Sequence, residues 1–163
     1  MAYEMIIDVG QEGERIALLK DKKLVELHQG SPESGSFQVG EIYLGKVKKI
    51  MPGLNAAFVD IGHAKDAFLH YHDLGPYIKS WLKITDETLG GKRTSGNLDN
   101  FSMEPETVKT GKISQVLKRN QQILVQVAKE PISSKGPRLT TEISIAGRYF
   151  ILVPFYDTVN VSK

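Results

Sequence analysis

The chain has 163 residues, a formal net charge of +2 and no cysteine. This length accommodates one ordinary domain, or one small domain with pieces of another. The absence of cysteine excludes disulfides and zinc–thiolate sites, and no apolar run approaches the ~20 residues that cross a bilayer. The N-terminus lacks the basic flank and long apolar stretch of a secretory signal, so we expect a cytoplasmic location.

Residues 1–38 are predicted to form a strand followed by a hairpin. Short β-prone runs occupy 5–9, 15–19 and 24–27, and 20–23 is a plausible turn. The Gly, Ser and Pro residues of 30–36 indicate a linker. Because so short a segment cannot build its own core, we expect it to pack against something else.

Three strand candidates follow in quick succession, at 42–50, 56–61 and 67–70. Gly45 interrupts the first of them, which predicts a bulge or a sharp bend there. Lys46 and Lys48 are predicted to point outward on either side of an inward Val47. Short strands joined by tight turns predict a small barrel.

The second and third strands of this set place aromatic side chains on their outward faces. Alternation assigns Ala57, Val59 and Ile61 to the core face and Ala56, Phe58 and Asp60 to the other face. The next strand repeats the pattern, with Ala67 and Leu69 inward and Phe68 and His70 outward. Two outward aromatics on neighbouring strands form a stacking platform of the kind that binds unpaired bases. Alternatively, both rings lie under a loop or a second domain.

The second half of the chain completes the strand count. A short helix is predicted at 77–83 and a loop at 90–97, whose Gly-Gly-Lys lacks the spacing of a phosphate loop. Strands are predicted at 122–128 and 138–143, which gives five between 39 and 144, as in an OB-type barrel. The apolar run 148–154 predicts a further strand belonging to something that continues beyond residue 163. The predicted fold is therefore mainly β: a five-stranded OB-type barrel with an N-terminal β-hairpin segment and a truncated C-terminal strand.

The charge distribution is uneven along the chain. Residues 1–38 carry 4 basic and 7 acidic side chains, whereas residues 111–163 carry 8 basic and 3 acidic ones. A basic C-terminal third beside an aromatic platform favours a polyanionic partner, although solvated lysines produce the same pattern.

Several motifs resemble a known family. Residues 40–47 and 56–62 are similar to an S1-type RNA-binding domain, and 123–131, 135–141 and 146–149 are similar to the N-terminal region of the ribonuclease E/G family. The resemblance covers most of the chain except 75–110. It implies that 1–38 are the first strands of an RNase H-like subdomain. It further implies that 39–144 are an S1 barrel with 75–110 as a variable insertion, and that 145–163 open a sensor for the five-prime monophosphate of RNA.

The same resemblance assigns roles to individual residues. Phe58 and Phe68 match positions that stack on single-stranded RNA, Lys135 matches a basic position on that surface, and Gly147 and Ile151 match sensor positions. With the outward side chains of the strands, the predicted RNA-binding residues are Phe58, Phe68, His70, Lys46, Lys48, Lys135 and Arg138. Asn120 replaces a glycine that relatives often place before the fourth strand, and we expect the turn to survive because Asn tolerates the left-handed conformation.

The implied function is binding of single-stranded RNA by the N-terminal part of an endoribonuclease of RNA processing and decay. The family cleaves with two aspartates that hold magnesium in a later domain, followed by a cysteine pair that binds zinc between protomers. We therefore expect no catalytic residue and no metal in this chain, which should bind RNA without cutting it. We expect the fragment to be a monomer and the full-length protein to be a homo-oligomer.

Other chemistry has weaker support in the sequence. Asp8, Asp60 and Asp66 are not spaced as a metal-binding pair, and Asp60 is expected to bond the backbone of the glycine turn that follows it. His70 and His72 lack a third zinc ligand, and neither Ser133 nor Ser134 has visible His and Asp partners. Two further functions stay open: a free-standing S1-type adaptor in translation or RNA turnover, and a barrel that binds protein through its two Phe rings. The unpaired apolar strand predicted at the C-terminal end favours the endoribonuclease, because a free module would not end on such an edge.

Overall fold

The computed structural model describes residues 2–10, 13–29, 37–98, 100–133, 135–159 and 161. The chain divides into two compact units, Met1–Ser36 and Phe37–Lys163. The predicted linker at 30–36 and Ser134 lie outside the described residues.

The first unit is a three-stranded antiparallel sheet. Its strands are β1 (Tyr3–Gly10), β2 (Gly13–Lys20) and β3 (Lys23–Gln29), in the order β1-β2-β3. The predicted turn between the last two strands is confirmed, and Asp21 and Lys22 both have positive φ angles of 48° and 64°, as a type I′ hairpin requires. None of the described residues of this unit is buried, and apolar side chains such as Met5, Ile7 and Val9 are exposed. The prediction that this segment has no core of its own is thus confirmed.

A closed five-stranded barrel forms the centre of the second unit. Its strands are β4 (Ile42–Met51), β5 (Ala56–Asp60), β6 (Ala67–His70), β7 (Gln122–Lys129) and β8 (Arg138–Thr140), closed in the order β4-β5-β6-β8-β7. The β6–β8 pair is parallel and the other neighbours are antiparallel. The predicted mainly β fold with an OB-type barrel is confirmed. Alternating apolar side chains fill the barrel, including the fully buried Val47, Val59, Leu69, Ile123, Val125 and Leu139.

One end of the barrel is filled by a short helix that the sequence did not predict. This helix, α2 (Ile113–Val116), has only four residues, too few to show a helical period. Ile113 and Leu117 are nonetheless fully buried in the core. Asn55 ties this end to the barrel, because its side chain accepts a hydrogen bond from the Ile113 N–H (2.8 Å) and donates one to the Gly111 carbonyl (3.1 Å).

Gly45 and Asn120 show how backbone requirements shape the barrel. A Cβ atom on Gly45 would lie 2.6 Å from Val59 Cγ1, so the glycine permits a close approach of β4 to β5. The irregularity in β4 lies instead between Val47 and Lys49, so a bulge at Gly45, one of the two predicted alternatives, is wrong. The sharp bend at Gly45 stays a prediction. Asn120 adopts the expected left-handed conformation (φ 67°), and its N–H donates to the Val47 carbonyl at 2.7 Å.

Residues 75–110 contain a helix that is longer than predicted. Helix α1 (Ile78–Leu89) runs past the predicted end at residue 83 and buries Ile78, Leu82 and Thr85. The predicted helix was too short because Thr85 and its neighbours are weak helix formers. The Thr85 hydroxyl donates to the Trp81 carbonyl at 2.8 Å, which satisfies it on the buried face. Within the described ranges, no helix is both long and apolar enough to cross a membrane.

The chain after the barrel forms a small hairpin. Strand β8 ends at Thr140, not at residue 143 as predicted, because Thr141 and Glu142 bend. Strand β9 (Ile145–Ala146) then pairs with β10 (Ile151–Leu152). Residues 148–150 lie in the turn between them, so the prediction of an unpaired strand over 148–154 is wrong. The C-terminal strand accordingly gives no support to the endoribonuclease over a free module.

Aromatic rings hold the segment after this hairpin against α1. The Phe155 ring lies 4.9 Å from the Trp81 ring, 5.8 Å from the Tyr77 ring and 6.2 Å from the Phe101 ring, measured between centroids. Phe155 reaches this position with a positive φ of 70°, which is unusual for a bulky side chain. The neighbouring Tyr156 hydroxyl donates to Glu142 at 2.6 Å, and this bond together with burial raises the pKa of Tyr156 to about 12.

We expect Phe155→Ala to open this cluster and to lower the free energy of unfolding by about 1–2 kcal/mol, since it removes several ring contacts at once. Trp81 is the only tryptophan, so its fluorescence reports directly on the site. The emission should shift to longer wavelength as water reaches the indole. Phe150→Ala is the matched control, because that ring is 84% exposed. Unchanged emission and an unchanged urea midpoint in Phe155→Ala would contradict the role of the cluster.

Candidate nucleic-acid interface

The two outward aromatics predicted from the sequence face each other across neighbouring strands. Phe58 pairs directly with Phe68 in the β5–β6 register, and their ring centroids lie 5.9 Å apart at 66°. Both rings are half-buried, while Ala57 and Leu69 on the opposite face are fully buried, as predicted. Ala56 was predicted to point outward but is fully buried, because it lies between Met51 on β4 and His70 on β6.

His70 extends this surface along β6. Its ring lies 6.4 Å from the Phe68 ring at an interplanar angle of 30°. The backbone N–H of His72 donates to His70 Nδ1 at 3.1 Å, so Nδ1 serves as an acceptor. In the neutral imidazole the remaining proton is then on Nε2, which leaves a donor for a base or a phosphate oxygen.

A groove of about 720 Å³ opens beside the two phenylalanine rings. Its lining is Phe58, Lys65, Asp66, Phe68, Lys129, Glu130, Ile132, Lys135, Gly136 and Arg138. Among the described residues, the ammonium groups of Lys65, Lys129 and Lys135 have no carboxylate within ion-pair distance. Aromatic rings beside unpaired cations are the combination that binds single-stranded nucleic acid.

Sequence reasoning identified Lys135 and missed the other two lysines. Lys129 is the last residue of β7, and Lys65 lies in the turn before β6. The three lysines line one groove because the β7–β8 loop folds back against that turn. Gly136 permits the close approach, because a Cβ atom there would lie 2.3 Å from the Asp66 carbonyl oxygen. The Phe68 N–H donates to the Pro137 carbonyl at 2.8 Å, which fixes the loop beside the ring.

Lys46 and Lys48 both project from β4, but their charges are not equally free to bind a ligand. The Lys48 ammonium lies 3.0 Å from Asp66 and 3.2 Å from Asp60, and these two hydrogen bonds raise the pKa of Lys48. The pKa of Asp60 is lowered, first by the Gly62 N–H that donates to it at 3.0 Å and then by Lys48. The predicted bond from Asp60 to the glycine turn is thus confirmed. Lys46 is exposed and makes no such ion pair among the described residues.

Arg138 lies on the groove, and its guanidinium is already engaged. Its Nε and one terminal nitrogen donate to the two carboxylate oxygens of Asp73, at 2.8 and 2.9 Å. This bidentate pair raises the pKa of Arg138. Thr140 also donates its hydroxyl proton to the Asp73 carbonyl at 2.9 Å. Arg138 therefore ties β8 to the turn after β6, and its charge is largely compensated.

The predicted sensor residues lie in the C-terminal hairpin. Gly147 donates its N–H to the Phe150 carbonyl at 2.8 Å, and Ile151 is 68% exposed on β10. Neither of these two described residues lines the groove. The structure thus brings together Phe58, Phe68, His70, Lys135 and Arg138, places Lys46 and Lys48 on the adjoining strand, and leaves Gly147 and Ile151 apart on their own hairpin.

The described part of the chain offers no ligand set for the magnesium that the family resemblance implies. Over those residues, no three His, Asp or Glu side chains are grouped closely enough to hold a metal ion. The carboxylates of Asp60 and Asp66 are engaged by Lys48, and Glu130 also lines the groove. Rings beside free cations give the groove the chemistry of a binding surface.

Comparison with known proteins shows extended similarity to ribonucleases. The chain is 36% identical over 162 residues to ribonuclease G of Haemophilus influenzae and 34% identical over 163 residues to ribonuclease G of Escherichia coli. These matches cover 99% and 100% of this chain. It is also 41% identical over 131 residues, 80% of its length, to ribonuclease E of Synechocystis. The chain belongs to the ribonuclease E/G family. No family model matches it.

Membership in the ribonuclease E/G family confirms the resemblance drawn from the motifs. The three relatives are ribonucleases by name. The chain spans 29% of the length of the two ribonuclease G relatives and 15% of the Synechocystis ribonuclease E. The match to the Escherichia coli relative runs over the full chain, including 75–110.

Proposed function

We propose that this chain binds single-stranded RNA on its barrel, as the N-terminal part of an endoribonuclease that processes and degrades RNA. The observation that carries the proposal is the opposed pair of Phe58 and Phe68 rings beside a groove with three ammonium groups that have no carboxylate partner among the described residues. Unpaired bases stack on the rings, and the lysines contact the phosphates. Family membership favours this function over a free-standing adaptor.

The two kinds of contact have separable roles. Stacking on Phe58 and Phe68 tolerates any base, because every base has an aromatic face. Lys65, Lys129 and Lys135 supply sequence-independent attraction, which weakens as salt rises. Lys46 adds to this attraction from β4, whereas Lys48 and Arg138 already have carboxylate partners and contribute less.

We expect Lys135→Ala to reduce the salt dependence of RNA binding. Removing the interaction of one lysine with a phosphate of a single strand changes the slope of log K against log salt concentration by about 0.7. Fluorescence anisotropy with a labelled single-stranded RNA, repeated over a series of salt concentrations, measures this slope. Lys79→Ala is the matched control, because Lys79 is an exposed lysine on α1. Binding that is insensitive to salt, or equal slopes in the two variants, would contradict phosphate binding at Lys135.

The remaining architecture is proposed on the family resemblance and on the order of the elements. We assign 1–38 to an RNase H-like subdomain, 39–144 to an S1 barrel and 145–163 to the opening of a five-prime sensor. Gly147 and Ile151, adjacent to the turn of the β9–β10 hairpin, are the proposed sensor contacts. We propose a cytoplasmic, homo-oligomeric parent protein whose magnesium-dependent cleavage residues lie outside this chain, and a fragment that is monomeric and binds RNA without cutting it.

A further inference from the structure

A fourth ring continues the row of side chains that begins at Phe58. The His72 ring lies 5.0 Å from the His70 ring, beyond the 5.9 Å step from Phe58 to Phe68 and the 6.4 Å step from Phe68 to His70. His72 is exposed and occupies the 3-10 turn Tyr71–Asp73 that directly follows β6. Neither the sequence motifs nor the family resemblance gives this residue a role.

The backbone on both sides of His72 is firmly held. The buried Tyr71 donates its N–H to the Asn55 carbonyl at 2.8 Å and its hydroxyl proton to the Val108 carbonyl. Asp73 accepts the bidentate bond from Arg138, and its carbonyl accepts from the Thr141 N–H at 3.0 Å. The backbone N–H of His72 itself donates a hydrogen bond to Nδ1 of His70. The exposed ring is therefore carried on a fixed turn, so little ordering entropy is lost when a ligand stacks on it.

We propose that Phe58, Phe68, His70 and His72 form one continuous track of four rings, on which His72 stacks the base of a fourth nucleotide. This inference rests on the proposed binding of single-stranded RNA and extends its footprint. The planes of successive rings differ by 66°, 30° and 71°, whereas the bases of a stacked strand are parallel. An RNA that follows the track is therefore extended, with one base on each ring, and a stacked or paired strand does not fit.

Charge distinguishes the two ends of this track. The groove end has the ammonium groups of Lys65, Lys129 and Lys135, which have no carboxylate partner in the described part of the chain and where phosphates bind. At the His72 end, the next residue along the chain, Asp73, is already paired with Arg138. Contacts at His72 therefore come from the face of the ring, so its contribution to affinity is independent of salt.

The test compares His72→Ala and His72→Phe with His28→Ala, a histidine on β3 of the first unit that pairs with Glu26. Competition with oligouridylates of three and six nucleotides measures the footprint. We expect His72→Ala to weaken the hexamer about five-fold or more at pH 8, and the trimer less than about two-fold, because the trimer can occupy the other three rings. His72→Phe should restore hexamer binding, and His28→Ala should leave it unchanged.

Three results would overturn the inference. The first is that His72→Ala binds the hexamer as tightly as the wild type. The second is that the loss of hexamer affinity in His72→Ala disappears at pH 8 or at raised salt, which would show an ionic interaction. The third is failure of His72→Phe to restore affinity. Phe58→Ala, assayed in parallel, distinguishes failure of the His72 proposal from failure of the proposed RNA binding. If it weakens the hexamer while His72→Ala does not, the footprint ends at His70 and RNA binding by the barrel stands. If neither does, the proposed function fails as well.

Discussion

Replacing Phe58 and Phe68 with alanine is expected to weaken the binding of single-stranded RNA by about 1–3 kcal/mol for each ring. Both rings project from the barrel, and the residues that flank them on the core face stay in place. The weaker binding therefore reflects removal of the stacking surface. Equilibrium titration of a labelled RNA by fluorescence anisotropy measures it, with circular dichroism to verify the fold.

Tyr3→Ala is the control for this experiment, since it removes an exposed aromatic ring that lies on β1 and does not line the groove. It should leave the affinity unchanged. The two phenylalanines contact each other, so their effects need not add, and the double variant is the decisive one. Full affinity in Phe58→Ala/Phe68→Ala, with the fold intact, would exclude the platform as the RNA-binding surface.

Gly136→Ala is expected to have the second large effect on RNA binding, because Gly136 lines the groove. The new methyl group would lie 2.3 Å from the Asp66 carbonyl oxygen, 2.9 Å from the Asp66 carbonyl carbon and 3.0 Å from the Lys65 carbonyl oxygen. All three atoms belong to the backbone and cannot rotate away, so the β7–β8 loop must shift. We expect the free energy of unfolding to fall by about 1–3 kcal/mol, as in other overpacked sites, and RNA affinity to fall as Lys135 moves.

Gly53→Ala provides the matched control, because a Cβ atom at Gly53 meets nothing within 4 Å. Urea unfolding of the two variants compares their stability, and RNA titration compares their affinity. If Gly136→Ala keeps the wild-type unfolding midpoint and RNA affinity, the loop does not depend on this close approach.

The sequence predicted those parts of the barrel that depend on local pattern. Alternation in β7 placed Ile123, Val125 and Val127 inward, and all three are buried. The same rule gave the outward orientation of Phe58 and Phe68, and the five-strand count gave the fold class. Asn120 could be assigned a left-handed turn because its short polar side chain tolerates that conformation.

Features that depend on distant residues could not be predicted in the same way. The pairing of Arg138 with Asp73 joins residues that are 65 positions apart, and it shows that Arg138 is engaged within the barrel. Lys48 is likewise bound by two carboxylates that only the folded β5–β6 turn brings to it. The groove requires the loop around Gly136 to meet that same turn. Pairing of β9 with β10 involves two residues on each strand, too few to produce a sequence period.

The central claim is that single-stranded RNA binds on the face formed by β5, β6 and the lysine groove. The most direct measurement is an NMR titration of the isotope-labelled chain with a single-stranded oligonucleotide. We predict that the largest shift changes occur at Phe58, Phe68, His70, Lys129 and Lys135, while α1 and the cluster around Phe155 stay unperturbed. Changes centred on α1 or on the Phe155 cluster, or no changes at saturating RNA, would contradict the account.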